Sequence, residues 1–187
     1  MKMKSKMMAI LCLAASTASW AQPALRTKGY KGFVQANFAI VSNNVTTTDG
    51  KFSGRSSSYS LALATSHGMQ VCPWLFAGAG VGIKGGGGEN AAVMDMDFVQ
   101  MPFFLQARGY LSRRDIAPYV DFKGGYAVGD MCGGYLSPAL GVSVPVARRL
   151  ALNVELAYQA QNSREEYTWG TEKTWRHFFS LGFGLEF

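Results

Sequence analysis

Apolar and polar residues alternate with a period of two along most of this chain. Between Arg149 and Gln161, Leu150, Leu152, Val154, Leu156 and Tyr158 share one parity, and Ala151, Asn153, Glu155 and Gln159 share the other. A helix would scatter the apolar set around its circumference, whereas a strand collects it on one face. The closing segment repeats the pattern, with Trp175, His177, Phe179, Leu181, Phe183, Leu185 and Phe187 set against Arg176, Ser180, Gly182, Gly184 and Glu186. The same reading predicts eight strands, at 29–41, 57–66, 74–84, 98–110, 119–128, 135–146, 149–160 and 175–187.

The predicted connections alternate in length. Those at 42–56, 85–97 and 161–174 are long and polar or glycine-rich. Those at Ser66–Pro73, Leu111–Pro118 and Ala147-Arg148 are short, and 129–134 is a short connection on the long side. An even strand count with long loops at one end and tight turns at the other is the pattern of an antiparallel up-and-down transmembrane β-barrel, with the turns and both termini in the periplasm.

Volume decides which face is inside. One parity carries large apolar residues, among them Phe38, Ile40, Leu63, Phe103, Leu105, Phe122 and Leu140, and no Asp, Glu, Lys or Arg. The other carries Ser58, Ser60, Ala62, Ala64, Gly78, Gly80, Gly82, Gly125 and Gly141 interspersed with Gln35, Asn37, Gln100, Gln106 and charged side chains. Eight strands enclose a space that side chains just fill. The small and charged face fits that lumen, and the large apolar face is left for lipid. Hydrocarbon offers no water for unpaired backbone groups, so the sheet must close, the last strand on the first.

This orientation predicts a lumen charge network of Lys31, Arg108, Asp121, Lys123, Glu155 and Glu186. Arg108 should face Asp121 across the turn joining the fourth and fifth strands, Lys31 should meet Glu186 at the closure, and Lys123 and Glu155 should lie deeper. Uncompensated buried charges are costly, so ion pairing is expected. It also predicts an aromatic girdle on the lipid face: Tyr59, Tyr126, Tyr158 and Trp175 at the external rim, Tyr30 and Phe187 at the periplasmic rim.

Composition changes the picture at the N-terminus. Lys2, Lys4 and Lys6 precede the apolar run Met7–Ala15, which is too short to span a bilayer, and Ser19-Trp20-Ala21 fits a signal-peptidase site. Residues 1–21 are expected to be a signal peptide and 22–187 the barrel. Lipidation at Cys12 is the alternative, but Ala9-Ile10-Leu11 lacks the small residue expected before a lipidated cysteine. Three lysines leave with the signal, so the formal charge of +6 overstates the basicity of the mature chain, and no basic run supports nucleic-acid binding. Cys72 and Cys132 fall at opposite ends of the expected barrel, too far apart for a disulfide.

Several constellations invite chemistry. Gly80-Val81-Gly82-Ile83-Lys84-Gly85 matches a dinucleotide fingerprint in form, but that motif needs a following helix. Here the glycines lie in a strand, where they leave room for Phe76 or Phe104. His177 and Ser180 suggest a hydrolase, yet at i and i+3 on a strand they point to opposite faces. Glu89, Asp95 and Asp97 share a loop but match no calcium-loop spacing. Neither a metal nor a cofactor is expected.

The segment Phe178-Phe179-Ser180-Leu181-Gly182-Phe183-Gly184-Leu185-Glu186-Phe187 resembles the C-terminal signal of bacterial outer-membrane barrels. Phe179, Leu181, Phe183, Leu185 and Phe187 occupy the positions that the barrel-assembly machinery recognises there. His67-Gly68 through Pro73-Trp74-Leu75-Phe76-Ala77-Gly78-Ala79-Gly80-Val81-Gly82, and Pro118-Tyr119-Val120-Asp121-Phe122-Lys123-Gly124-Gly125-Tyr126, resemble the small PorT-like and OmpA/OmpX-like barrels of Bacteroidota. The resemblance implies an outer-membrane protein in contact with membrane lipids and lipopolysaccharide. It leaves the role open among adhesins, anchors and secretion accessories. A non-enzymatic barrel with a polar, plugged lumen and external loops that contact a protein or surface ligand is the expectation. A lipid-A-modifying enzyme, which would carry its His and Ser two apart on one face, and a soluble periplasmic barrel are the alternatives.

Overall fold

Alternation of this kind can be satisfied on both faces at once only if the sheet has an inside and an outside. The computed structural model describes residues 28–46, 53–88, 97–112, 116–130, 132–147, 149–167 and 170–187. The expected signal segment 1–21 lies outside them, as do Glu89 and Asp95. Eight strands run in sequence order: β1 (Gly29–Thr46), β2 (Ser53–Cys72), β3 (Leu75–Gly88), β4 (Phe98–Tyr110), β5 (Ala117–Gly129), β6 (Gly133–Ala147), β7 (Leu150–Tyr167) and β8 (Gly170–Glu186). Each pairs antiparallel with the next, and β8 closes on β1 from Phe33↔Glu186 to Asn43↔Arg176. The closure leaves no free edge around the barrel wall.

All eight predicted strands are present, but several are longer than the alternation indicates. The expected loop 42–56 is mostly hairpin, since β1 and β2 stay paired to Thr46↔Ser53. The expected loop 161–174 is likewise strand, paired from Gln161↔Arg176 to Tyr167↔Gly170. These long pairings mark one end of the barrel, the hairpin end. At the opposite, turn end, β2 continues to Cys72, and the turn is confined to Pro73-Trp74. His67, expected in that turn, sits within β2. Cys72 lies at the turn end and Cys132 at the hairpin end, and both are free thiols.

The outward face is apolar. Leu105, Leu156, Leu140, Phe179, Ile40 and Phe183 are 71, 67, 66, 62, 61 and 57 % exposed. The inward face is buried and mixed, combining lysine, arginine, carboxylates and amides with Phe33, Phe76, Phe104, Tyr110, Tyr119 and Phe178. A water-soluble barrel has the reverse arrangement, and so continuous an apolar exterior belongs in lipid.

Glycines make the narrow interior fit. A Cβ at Gly80 would strike the Phe104 ring, and one at Gly141 would strike the Tyr119 ring and come within 2.7 Å of the Val154 carbonyl oxygen. Gly141→Ala is expected to destabilise the barrel by about 1–3 kcal/mol through overpacking. Equilibrium urea unfolding in lipid vesicles checks this, with Gly134→Ala as control, because there the nearest atom to a new Cβ lies 3.9 Å away. Gly129 adopts φ +124°, a conformation that L side chains rarely take. It lets the chain turn so that Asp130 Oδ2 accepts from the Val99 N–H at 2.8 Å.

Prolines interrupt two ladders without shifting their register. The β3–β4 pairing skips from Val81↔Phe103 to Lys84↔Gln100 around Pro102, and β6–β7 skips from Leu136↔Ala160 to Ala139↔Ala157 around Pro138. Proline has no N–H to give, so each leaves a short gap in the wall.

Candidate functional site

Inward parity on five strands converges on one layer nearer the turn end. β4 supplies Gln106 and Arg108, β5 supplies Tyr119, Asp121 and Lys123, and β1, β2 and β7 supply Gln35, Ser66 and Glu155. Arg108 pairs in register with Asp121, and its Nη2 donates to Asp121 Oδ2 at 2.8 Å and to Glu155 Oε2 at 3.5 Å. The guanidinium lies between two rings, 4.3 Å from the Phe33 centroid and 4.0 Å from that of Tyr119. Arginine suits this slot because its planar, weakly hydrated cation stacks on aromatic faces while bonding in plane.

The carboxylates are well supplied with donors. Asp121 Oδ2 also accepts from Gln106 Nε2 at 2.7 Å, and Gln106 Oε1 accepts from Ser66 Oγ at 2.5 Å. Glu155 accepts from Lys123 Nζ at 2.9 Å, Gln35 Nε2 at 3.0 Å and the Tyr119 hydroxyl at 3.2 Å. Lys123 lies 3.5 Å from Asp121 as well. A second cluster forms where the sheet closes. Lys31 donates to Glu186, whose other oxygen accepts from Ser143 Oγ at 3.1 Å, and Lys31 Nζ sits 4.9 Å from the Tyr110 ring centroid. The six charges singled out in the sequence thus divide into a four-membered and a two-membered group. All six are buried.

Sequence reasoning missed part of this site. Phe33, Tyr119 and Phe178 are large and aromatic, yet they share the parity of Gln35, Asp121 and Ser180 and lie inside. Parity alone could have found them. Lys84 is masked in the sequence by its glycine-rich surroundings. It is buried, its Nζ is 3.2 Å from the Phe178 ring centroid, and it reaches Gln159 Oε1 at 3.4 Å.

The remaining candidate residues fall on the outer surface. Tyr126 and Trp175 are 53 and 54 % exposed near the hairpin end, and Tyr59 and Tyr158 are half-buried on the same outward face. At the turn end Tyr30 is half-buried, and Phe187 exchanges two backbone hydrogen bonds with Gly32, at 2.8 and 2.9 Å. Each rim carries a tyrosine stacked on a histidine: Tyr30 on His67 and Tyr158 on His177, both at an interplanar angle of 16°. The Tyr158 hydroxyl bonds His177 Nδ1 at 2.6 Å, while Ser180 points inward and donates to the Ala157 carbonyl oxygen at 3.4 Å. His177 and Ser180 therefore do not meet. Phe179, Leu181, Phe183 and Leu185 of the closing strand all face outward.

No protein-family model matches the chain, and no curated protein sequence does. Solved structures do. The crystal structure of Neisserial surface protein A superposes with a TM-score of 0.50 at 14% identity, over 86% of this chain and 99% of that one. The outer membrane protein AlkL, determined by solid-state NMR in DMPC bilayers, gives 0.46 at 14% identity over 84% and 89%. A de novo designed transmembrane β-barrel gives 0.38 at 15% over 88% and 98%. At this identity the likeness to the Neisserial protein is one of fold. The chain has the fold of a small outer-membrane β-barrel. With its apolar exterior, it is a membrane barrel.

Proposed function

We propose that this protein is a non-enzymatic barrel of the bacterial outer membrane, related to the PorT-like or OmpA/OmpX-like barrels, that presents a projecting hairpin for surface interaction. One observation carries the reading. At the hairpin end β7 and β8 remain paired for six residue pairs, Asn162↔Trp175 to Tyr167↔Gly170, beyond the last β6–β7 pair at Tyr135↔Gln161. Six residues of strand extend roughly 20 Å. Such an arm offers strand edges to a partner, the geometry of β-augmentation, and its sequence includes Tyr167 and Trp169, residue types that anchor interfaces. Long hairpins at one end and tight turns at the other favour an external arm with both termini in the periplasm.

The test shortens the arm. Replacing residues 163–173 by Asn-Gly is expected to leave assembly and unfolding of the barrel unchanged and to reduce adherence of the displaying cells to their contact surface. Unchanged adherence would remove the reading. Assembly is proposed to proceed through the outward row Phe179, Leu181, Phe183 and Leu185 with Phe187, recognised by the barrel-assembly machinery. Lipopolysaccharide and membrane lipids are the surrounding partners.

The lumen is proposed to be a plug, which the Phe33–Arg108–Tyr119 stack supports. Planar-bilayer recordings are expected to show no steady current from the wild type. A steady conductance that Glu155→Gln abolishes would mean that the charge network conducts. The separation of His177 from Ser180 supports the absence of lipid-A deacylation. Incubation with lipopolysaccharide should leave the mass spectrum of lipid A unaltered.

A further inference from the structure

Between the ionic layer and the hairpin end lies a cavity of about 70 Å³, lined by Ser60, Ala62, Ala64, Lys84, Tyr135 and Ser137 among others. It sits against Pro102, where the β3–β4 ladder is interrupted, and beside the gap at Pro138 in β6–β7. A site of this size holds several waters or one small ion with a water.

Its charge is unbalanced. Among the described residues, the buried ionic side chains of the lumen are Lys31, Lys84, Arg108 and Lys123 against Asp121, Glu155 and Glu186. Three of these cations touch a carboxylate, and Lys84 touches none. The Phe178 ring and Gln159 Oε1 compensate it in part, but a ring quadrupole and one amide oxygen do not equal a counter-charge. Two of the lining residues, Ser60 and Asn37, carry orphaned polar atoms. Ser60 Oγ and Asn37 Oδ1 are buried without a hydrogen-bond partner. The Ser60 hydroxyl is a free donor in the wall of this space.

We propose that this cavity binds a small monovalent inorganic anion of halide size, held against Lys84 Nζ with Ser60 donating to it. A cation is disfavoured, because two ammonium groups, Lys84 and Lys123, line the space. The one carboxylate there, Glu155, is already engaged by Lys123, Gln35 and Tyr119. The anion supplies Lys84 with a counter-charge and links barrel stability to halide concentration by mass action.

The test uses the full chain folded in detergent micelles, with chloride as the probe. Chloride NMR lines should broaden saturably on adding the wild type, and bromide should compete the broadening away. Lys84→Met should reduce it several-fold. Ala64→Leu, which fills the cavity and leaves the lysine in place, should do the same, and it serves also if the first variant fails to fold. The wild type should melt at higher temperature in chloride than in gluconate at matched ionic strength, and the Ala64→Leu variant should not. The proposal is overturned by wild-type lines that do not broaden, or by broadening that survives either substitution.

Discussion

Arg108→Met is expected to destabilise the barrel by about 3–5 kcal/mol, the cost of breaking a buried ion pair from one side. The substitution keeps an unbranched chain between Phe33 and Tyr119, so packing is largely retained. What it removes is the cation that bonds Asp121 at 2.8 Å, leaving that carboxylate, among the described residues, to Gln106 and to Lys123 at 3.5 Å. Lys123 cannot replace it in full, because Glu155 claims the same ammonium at 2.9 Å. Arg108→Lys should recover little, since a lysine ammonium lacks the planar face that stacks between the rings 4.3 and 4.0 Å away. Combining Arg108→Met with Asp121→Asn should recover a large part, because the orphaned charge goes with its partner. Reversible urea unfolding in lipid vesicles, read by tryptophan fluorescence, measures all four proteins. A single variant that unfolds at the wild-type midpoint would show that the layer contributes nothing to stability.

The same layer shows what a sequence of this kind exposes and what it hides. Glu155 and Leu156 are neighbours in the chain, and their contrast assigns a face to every residue of β7 as far as Gln161. Beyond that point the contrast disappears while the strand continues. Residues 162–167 continue as strand beyond the last β6–β7 pair, and 44–46 beyond the last β1–β8 pair, and in sequence neither stretch alternates apolar with polar residues. The hydrogen-bonded ladder persists there without a periodic signature, so the projecting arms read as loops. Phe33, Tyr119 and Phe178 are hidden for a different reason. Their size suggests lipid, whereas inside the barrel Phe33 and Tyr119 flank the Arg108 guanidinium and Phe178 packs on the Lys84 ammonium. His67 reads as a turn residue because Gly68 and Pro73 punctuate the segment, yet β2 holds its register through Gly68↔Gly78.

Leu156→Lys tests the orientation on which all these assignments depend, and the two kinds of barrel predict opposite results. Leu156 is 67 % exposed and lies midway between the turn-end start of β7 at Leu150 and Gln161, the last residue paired with β6. Its cross-strand partners are Leu140 and Leu181, so neither residue directly opposite offers an ammonium a polar group. In a bilayer that ammonium sits near the midplane, and the expected cost is about 2–4 kcal/mol. A lysine at Val71, 53 % exposed and one residue from the end of β2, can reach the headgroups, and the cost should fall to about 0–1 kcal/mol. In a water-filled surrounding neither substitution would be costly, because an exposed leucine replaced by lysine loses little packing and gains hydration. Unfolding midpoints of both variants in vesicles therefore measure depth as well as sidedness. A Leu156→Lys barrel as stable as the wild type would mean that the apolar surface never meets acyl chains.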